Sequence, residues 1–158
     1  QTMWGELDIL VVDMPPGTGD IQLTLAQKAQ VNGAVIVTTP QDIALLDAKK
    51  GIEMFIKVKI PVLGIVENMA MHICSECGHE EAICGDGGGA NVAEQYETHL
   101  LGSLPLDKSI RLNGDSGLPS VAADPEGPIA GHYGQIAQSV IAGLEAAADN
   151  AGPEIVFE

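Results

Sequence analysis

Two cysteines stand three positions apart in Cys74-Ser75-Glu76-Cys77, flanked by His72 and His79, with Cys84 further on. Two thiolates at that spacing can grip one soft metal from a single knuckle. A closed zinc site or a cubane cluster asks for about four strong ligands, and one chain offers two clear ones. The histidines lie so close in sequence that bending them onto the same ion would strain the loop. The economical completion is an ion or cluster shared between two chains, two thiolates from each. A redox pair of thioredoxin type would sit at a helix N-terminus, whereas this pair lies in a polar stretch followed by Gly78. Surface thiols without a task are the remaining reading. Cys84 by itself reads as a small buried hydrophobe.

A second segment with chemical content is Asp13-Met14-Pro15-Pro16-Gly17-Thr18-Gly19-Asp20. An acid that closes an apolar strand is where nucleotide hydrolases hold Mg²⁺, usually through water. Gly17 and Gly19 would let backbone amides approach a phosphate. The plainer reading is a strand-to-helix turn capped by Asp20. A third segment, Gly85-Asp86-Gly87-Gly88-Gly89, could cradle phosphate at a helix entry. Asp86 would oppose an anion there and no lysine follows, so a flexible hinge after the cysteine loop is the expectation. The phosphate-binding pattern G-x-x-x-x-G-K-[ST] occurs nowhere in the 158 residues, and no lysine follows a glycine.

Positioning these segments requires a scaffold, and the apolar pattern describes one. Leu7 to Asp13, Ala34 to Thr39 and Val62 to Val66 are continuous apolar runs, the signature of strands buried on both faces of a parallel sheet. Leu100 to Leu104 is a weaker fourth. Helices are expected over Asp20 to about Gln30, from Asp42 through the Ile52, Phe55 and Ile56 stripe, over Asn91 to Tyr96, and over Pro128 to Ala148. In the Asp42 helix, Ile43, Leu46 and Ala48 are expected to face the sheet as well. Gly114 to Gly127 reads as loop, and the tail Asp149 to Glu158 as frayed. Strand alternating with helix points to a doubly wound α/β domain, whose ligands bind at the C-terminal ends of the strands. The three unusual loops all follow strands.

Composition narrows the choices. Seven Lys+Arg against 22 Asp+Glu leave a net charge of −15, which repels nucleic acid and anionic lipid. Hydrophobic residues make up 46% of the chain, a globular mix, yet no apolar run approaches the ~20 residues that span a bilayer. No signal-peptide pattern opens the chain, and three cysteines do not form a disulfide framework; both features make the cytoplasm the expected location. The sequence starts at Gln1 and reaches a buried-type strand by Asp8, as a fragment of a domain would.

Taken in order, Trp4-Gly5-Glu6-Leu7-Asp8, the Asp13 to Asp20 segment, Thr38-Thr39-Pro40-Gln41-Asp42, Gly64-Ile65-Val66-Glu67-Asn68-Met69, the Cys74/Cys77 pair and Gly85-Asp86-Gly87-Gly88 closely resemble the Mrp family of P-loop ATPases, the iron–sulfur cluster carrier proteins. The resemblance runs from about Trp4 to Leu144. It implies a deviant Walker A P-loop fold, a doubly wound, mostly parallel sheet with helices on both faces, here incomplete at its N-terminus. Residues 1–148 would then be the C-terminal part of one ATPase domain. It also implies a homodimer bridged by a [4Fe–4S] cluster on Cys74 and Cys77 of each subunit, handed to recipient apoproteins under ATP and Mg binding and slow hydrolysis. By position, Asp13 resembles the Walker-B carboxylate, and Gly17, Thr18 and Gly19 the switch loop. Asn68 resembles the adenine-reading residue, with the loop near Pro105 around the base.

The family's Walker A segment, with its two lysines, has no counterpart in this sequence. Its strand would lie between the Asp8 to Asp13 strand and the Ala34 to Thr39 strand. The 158 residues alone are therefore expected neither to hydrolyse ATP nor to fold as stably as the whole domain. Two other classes remain: a Min/Par-like positioning ATPase, opposed by the acidic surface and the lack of a basic amphipathic helix, and a zinc-stapled interaction module.

Overall fold

The computed structural model describes residues 2–15, 19–74 and 76–150. Along the chain come α1 (Asp20–Lys28), β1 (Ala34–Thr38), α2 (Asp42–Lys57), β2 (Val62–Glu67), β3 (His72–Ile73), β4 (Glu80–Glu81), α3 (Gly88–Gln95), β5 (Leu100–Ser103), α4 (Lys108–Ser116), α5 (Ser120–Ala123) and α6 (Pro128–Asn150). Strands β1, β2 and β5 form a parallel sheet in the order β1-β2-β5, and β3 and β4 form a separate antiparallel hairpin. β2 is central and buried from Leu63 to Glu67, as a run of Leu, Ile and Val without polar alternation requires.

Helices cover both faces. On one, α2 and α3 bring Ala48, Ile52, Val92 and Ala93 onto Ile36 and Ile65, with Leu45 and Phe55 packed at the margin. The inward stripe of α2 is thus Leu45, Ala48, Ile52 and Phe55, spaced by three and four. Ile43, Leu46 and Ile56, expected to face the sheet, are 73%, 54% and 56% exposed: the first two fall on the opposite side of the helix, and Ile56 lies at the margin of the inward stripe near the helix end. On the other face, α6 lays Tyr133, Ile136 and Val140 against Val66, Leu101 and Leu104. Pro128 begins α6 at the position where a missing N–H costs nothing.

The expected strand Leu7 to Asp13 does not form. The segment is irregular, and Val11 is 85% exposed. A strand exists through hydrogen bonds to a neighbour, and among the described residues this one has none: β1 pairs with β2 alone. The free side of β1 leaves Val35 and Val37 36% and 63% exposed, an uncovered face on a strand type that is normally buried twice over. The resemblance places another strand between these two segments, and none stands there among the described residues.

Smaller corrections concern helix ends. Asp20 and Asp42 are the first residues of their helices rather than side-chain caps; Gly19 and Gln41 hold the cap positions, and the acids favour the positive end of the helix dipole. The stretch from Gly114 to Gly127, expected as loop, contains the end of α4 and all of α5. α4 is set by Asp107, whose Oδ1 accepts from the backbone N–H of Ser109 at 2.6 Å and from its hydroxyl. These bonds from Ser109 hold the Asp107 carboxyl below the usual aspartate range. A depressed native value means the stabilisation is complete above the unfolded-state value and is lost as pH falls through the native one. Asp107→Ala is expected to cost about 1 kcal/mol at pH 7, a penalty that should fade below the ordinary aspartate range. Denaturant melts of both proteins at pH 7 and pH 3 measure it; a penalty equal at both would separate the cap from its charge.

Candidate functional site

The carboxyl ends of β1, β2 and β5 meet at one edge of the sheet. The backbone N–H of Asn68, just past β2, donates to the Thr38 carbonyl of β1 at 2.7 Å. On the other side, Leu104 donates to Glu67 (2.8 Å), Ala70 to Leu104 (3.0 Å) and Leu106 to Met71 (2.8 Å). The chain leaving β2 is therefore laced to the chain leaving β5, which sets half-buried Asn68 and Pro105 on neighbouring, mutually bonded segments. Asn68 Oδ1 accepts from the Met69 N–H at 3.0 Å. That contact orients the amide and leaves its NH₂ donors for a ligand edge.

Met14 and Pro15 lie beside this edge. Buried Gln22 of α1 donates through Nε2 to the Pro15 carbonyl at 2.8 Å. Met14 and Pro15 wall a cavity of about 430 Å³ together with Val37, Thr38, Thr39 and Asn68. Asp13 is exposed and irregular, and is not among the cavity-lining residues. Gly19 precedes α1, while Gly17 and Thr18 lie outside the described residues.

Cys74 and Cys77 lie in the turn of the β3–β4 hairpin. Its ladder pairs His72 with Glu81 and Ile73 with Glu80, and is extended by Cys74 N–H donating to His79 at 2.9 Å. The turn closes with Gly78 N–H on the Cys74 carbonyl (2.8 Å), Gly78 taking a φ of 70°. Cys74 is half-buried and Cys77 exposed, both as free thiols. Hydrogen bonds from the backbone N–H groups of Glu76 and Cys77, then from the Cys77 side chain, hold the Cys74 thiol below its ordinary value and so favour the thiolate. A tight turn with N–H groups aimed at sulfur suits a metal knuckle, and no helix begins here, as a thioredoxin-type pair would require. Among the described residues, no three Cys, His, Asp or Glu side chains gather as a metal site. His72 turns away, its Nδ1 3.2 Å from the Leu106 carbonyl, which fastens the hairpin base to the loop carrying Pro105. Cys84 is half-exposed rather than buried, since the chain around it runs along the surface before entering α3.

The glycine-rich segment is neither a free hinge nor an open phosphate cradle. Gly88 and Gly89 are buried in the first turn of α3. A Cβ on Gly88 would stand 2.8 Å from Leu45 Cδ1 and 3.0 Å from the Pro40 carbonyl oxygen, and one on Gly89 2.8 Å from Glu67 Oε2. The glycines let α3 seat against the β1–α2 loop and the end of β2. Glu67, whose sequence signal was only an acid ending an apolar strand, is 5% exposed and accepts from the Gly89 N–H.

These features define a doubly wound α/β protein of the kind that binds ligands where its strands end, carrying in addition a hairpin with two free cysteines. Residues 1–141 match the family described as ParA: NUBPL iron-transfer P-loop NTPase. The chain is 62% identical over 144 residues to the iron–sulfur cluster carrier protein of Pseudomonas fragi, covering 91% of this chain and 50% of that protein. It is 50% identical over 145 residues to the mouse iron–sulfur cluster transfer protein NUBPL, covering 92% and 46%. Among solved structures, the nucleotide-binding protein of Archaeoglobus fulgidus in complex with ADP superposes with a TM-score of 0.67 at 40% identity, over 80% of this chain and 50% of that one. The chain belongs to this family of iron-transfer P-loop NTPases. It spans half or less of the length of these curated relatives.

Proposed function

We propose that the full-length protein carries an iron–sulfur cluster of the [4Fe–4S] type and passes it to recipient apoproteins under control of bound ATP. The observation that carries this reading is the hairpin tip: two thiols, one favoured as thiolate by backbone N–H groups, with no further ligand gathered around them among the described residues. Cys74 and Cys77 of two chains would together supply four thiolates, the number a cubane requires, so the working unit is a homodimer. Similarity to an iron–sulfur cluster carrier and a cluster transfer protein supports the cargo, and the ADP-bound neighbour supports the nucleotide.

In this reading Asn68 and Pro105 receive the base, while Gly17, Thr18 and Gly19 follow the phosphates. Asp13 holds Mg²⁺ through water once the neighbouring strand orders it; Mg²⁺ would neutralise charge building on the phosphates. The surface charge of −15 supports protein partners and opposes nucleic acid and anionic membranes. No helix among the described residues is long and apolar enough to cross a membrane. Free thiols suit a reducing compartment, so we place the protein in the cytoplasm.

Anaerobic loading of the full-length protein with iron and sulfide tests the reading. The expected product is a brown dimer with about four iron and four sulfide per pair of chains. A colourless dimer holding one zinc and no sulfide would establish the staple instead. A colourless monomer that binds phospholipid vesicles on addition of ATP would favour the positioning ATPase.

A further inference from the structure

The cysteine hairpin belongs to one long excursion that leaves the sheet at β2 and returns through α3. Both limbs meet at a single residue. The Glu67 carbonyl accepts from Leu104 at 2.8 Å where the outgoing limb starts. Its carboxylate, 22 positions from Gly89 in sequence, accepts from the Gly89 N–H where the returning limb enters α3. Gly87 provides no side-chain cap for α3, so this buried carboxylate serves one of the helix's unpaired N–H groups and neutralises its positive end. Neither role contributes to base binding, yet Glu67 directly precedes Asn68.

We propose that Glu67 is a positioning residue that clasps the neck of the cysteine loop and ties the placement of residues 70–87 to occupancy of the Asn68–Pro105 edge. The outgoing limb is laced to the loop of Pro105 through Ala70, Met71 and His72. The returning limb lies on Pro40, which Gly85 and Gly88 approach closely. A ligand that shifts the Asn68 segment shifts the carboxylate beside it, and with it the start of α3. Without the clasp, the returning limb is released and the two ends of the loop move independently. The proposal gives the cluster-carrier reading its route from nucleotide to thiols, but its central measurement needs no cluster.

Hydrogen exchange on the full-length apoprotein, with and without ADP, is that measurement. In the wild type, ADP should slow exchange over residues 70–87. Glu67→Ala should raise exchange there by about tenfold, the expected effect of stranding a buried hydrogen-bond donor, and should abolish the response to ADP. Peptides from β1 and α2 should keep their response, because the nucleotide still binds. Glu67→Gln, which retains an acceptor oxygen, should restore most of the coupling. Gly89→Ala, whose Cβ crowds the same carboxylate, should reproduce the loss and serves if Glu67→Ala fails to fold. Wild-type exchange over 70–87 in both Glu67→Ala and Gly89→Ala would overturn the proposal. So would an equal rise across the whole sheet, or a wild type in which ADP leaves 70–87 unchanged. A wild type that loads no cluster but shows the predicted exchange pattern would refute the carrier function and leave the clasp standing.

Discussion

Changing Cys74 or Cys77 to serine in the full-length protein is expected to reduce bound iron and sulfide to less than about a tenth of wild type after anaerobic loading. The visible absorbance should disappear with them. A serine hydroxyl keeps nearly the size of the thiol but is a hard, protonated oxygen where soft iron selects thiolate. The hairpin does not depend on sulfur for its shape, since its closure is made by backbone bonds between Cys74, Gly78 and His79. The loss should therefore arrive without a change in melting temperature. In the proposed dimer-bridging site either single substitution would remove two of four ligands, so the two variants should be equally deficient. Cys84→Ser is the internal control and should retain its full iron content. Iron held at wild-type level by both Cys74→Ser and Cys77→Ser would remove the hairpin from the function; loss in Cys84→Ser would enlarge the ligand set.

Gly64→Ala should be among the most destabilising single methyl additions in the protein. Gly64 lies in the central strand at φ 154°, beside an irregularity in the β1–β2 register. A Cβ there would stand 2.5 Å from the His99 carbonyl oxygen and 2.6 Å from Leu101 Cγ. The first of these is backbone and is already held by the Ile65 N–H at 2.8 Å, so it cannot retreat without breaking the β2–β5 ladder. Overpacking together with an unfavourable backbone angle sums to about 3 kcal/mol or more, a large share of a typical domain's stability. Glu67 and Asn68 end the same strand, so the damage would reach both sites. Gly134→Ala is the counterpart: it lies in α6 with nothing within 4 Å of its new Cβ, and should stabilise by up to about 1 kcal/mol. Denaturant titration of the three full-length proteins gives the ranking. A Gly64→Ala midpoint equal to wild type would mean that the β2–β5 approach is looser than the structure has it.

The legibility of this chain varies with the range of the forces involved. β1, β2 and β5 were readable to within a residue or two, because strands buried on both faces must be apolar throughout and the loops after them carry proline, asparagine or acid. α2 was readable in extent but not in its facing: Ile43, Leu46 and Ile56 point to solvent, since one helix carries more apolar residues than one face can bury. α4 was missed because its polar sequence, Lys108 to Ser116, buries no residue; a capping bond at Asp107 decides it. The Leu7 to Asp13 run had every local mark of a strand and is not one, because strand formation is a property of a pair.

The same division runs through the candidate site. Spacing alone singled out Cys74 and Cys77, and the family resemblance alone singled out Asn68 and Pro105. Glu67 escaped because its partner is 22 positions away, and a glutamate at a strand end carries no mark of what it will cap. The sequence by itself determined the spacing of the candidate thiol ligands, the net charge and the α/β alternation, each of which depends on residue type or on neighbours a few positions apart. Only the tertiary structure decided that the thiols stand on a hairpin, that its limbs are laced to the Pro105 loop and clasped by Glu67, and that the Leu7 to Asp13 run stays unpaired. Those outcomes rest on hydrogen bonds between distant segments, which exist only after the chain has brought the groups together.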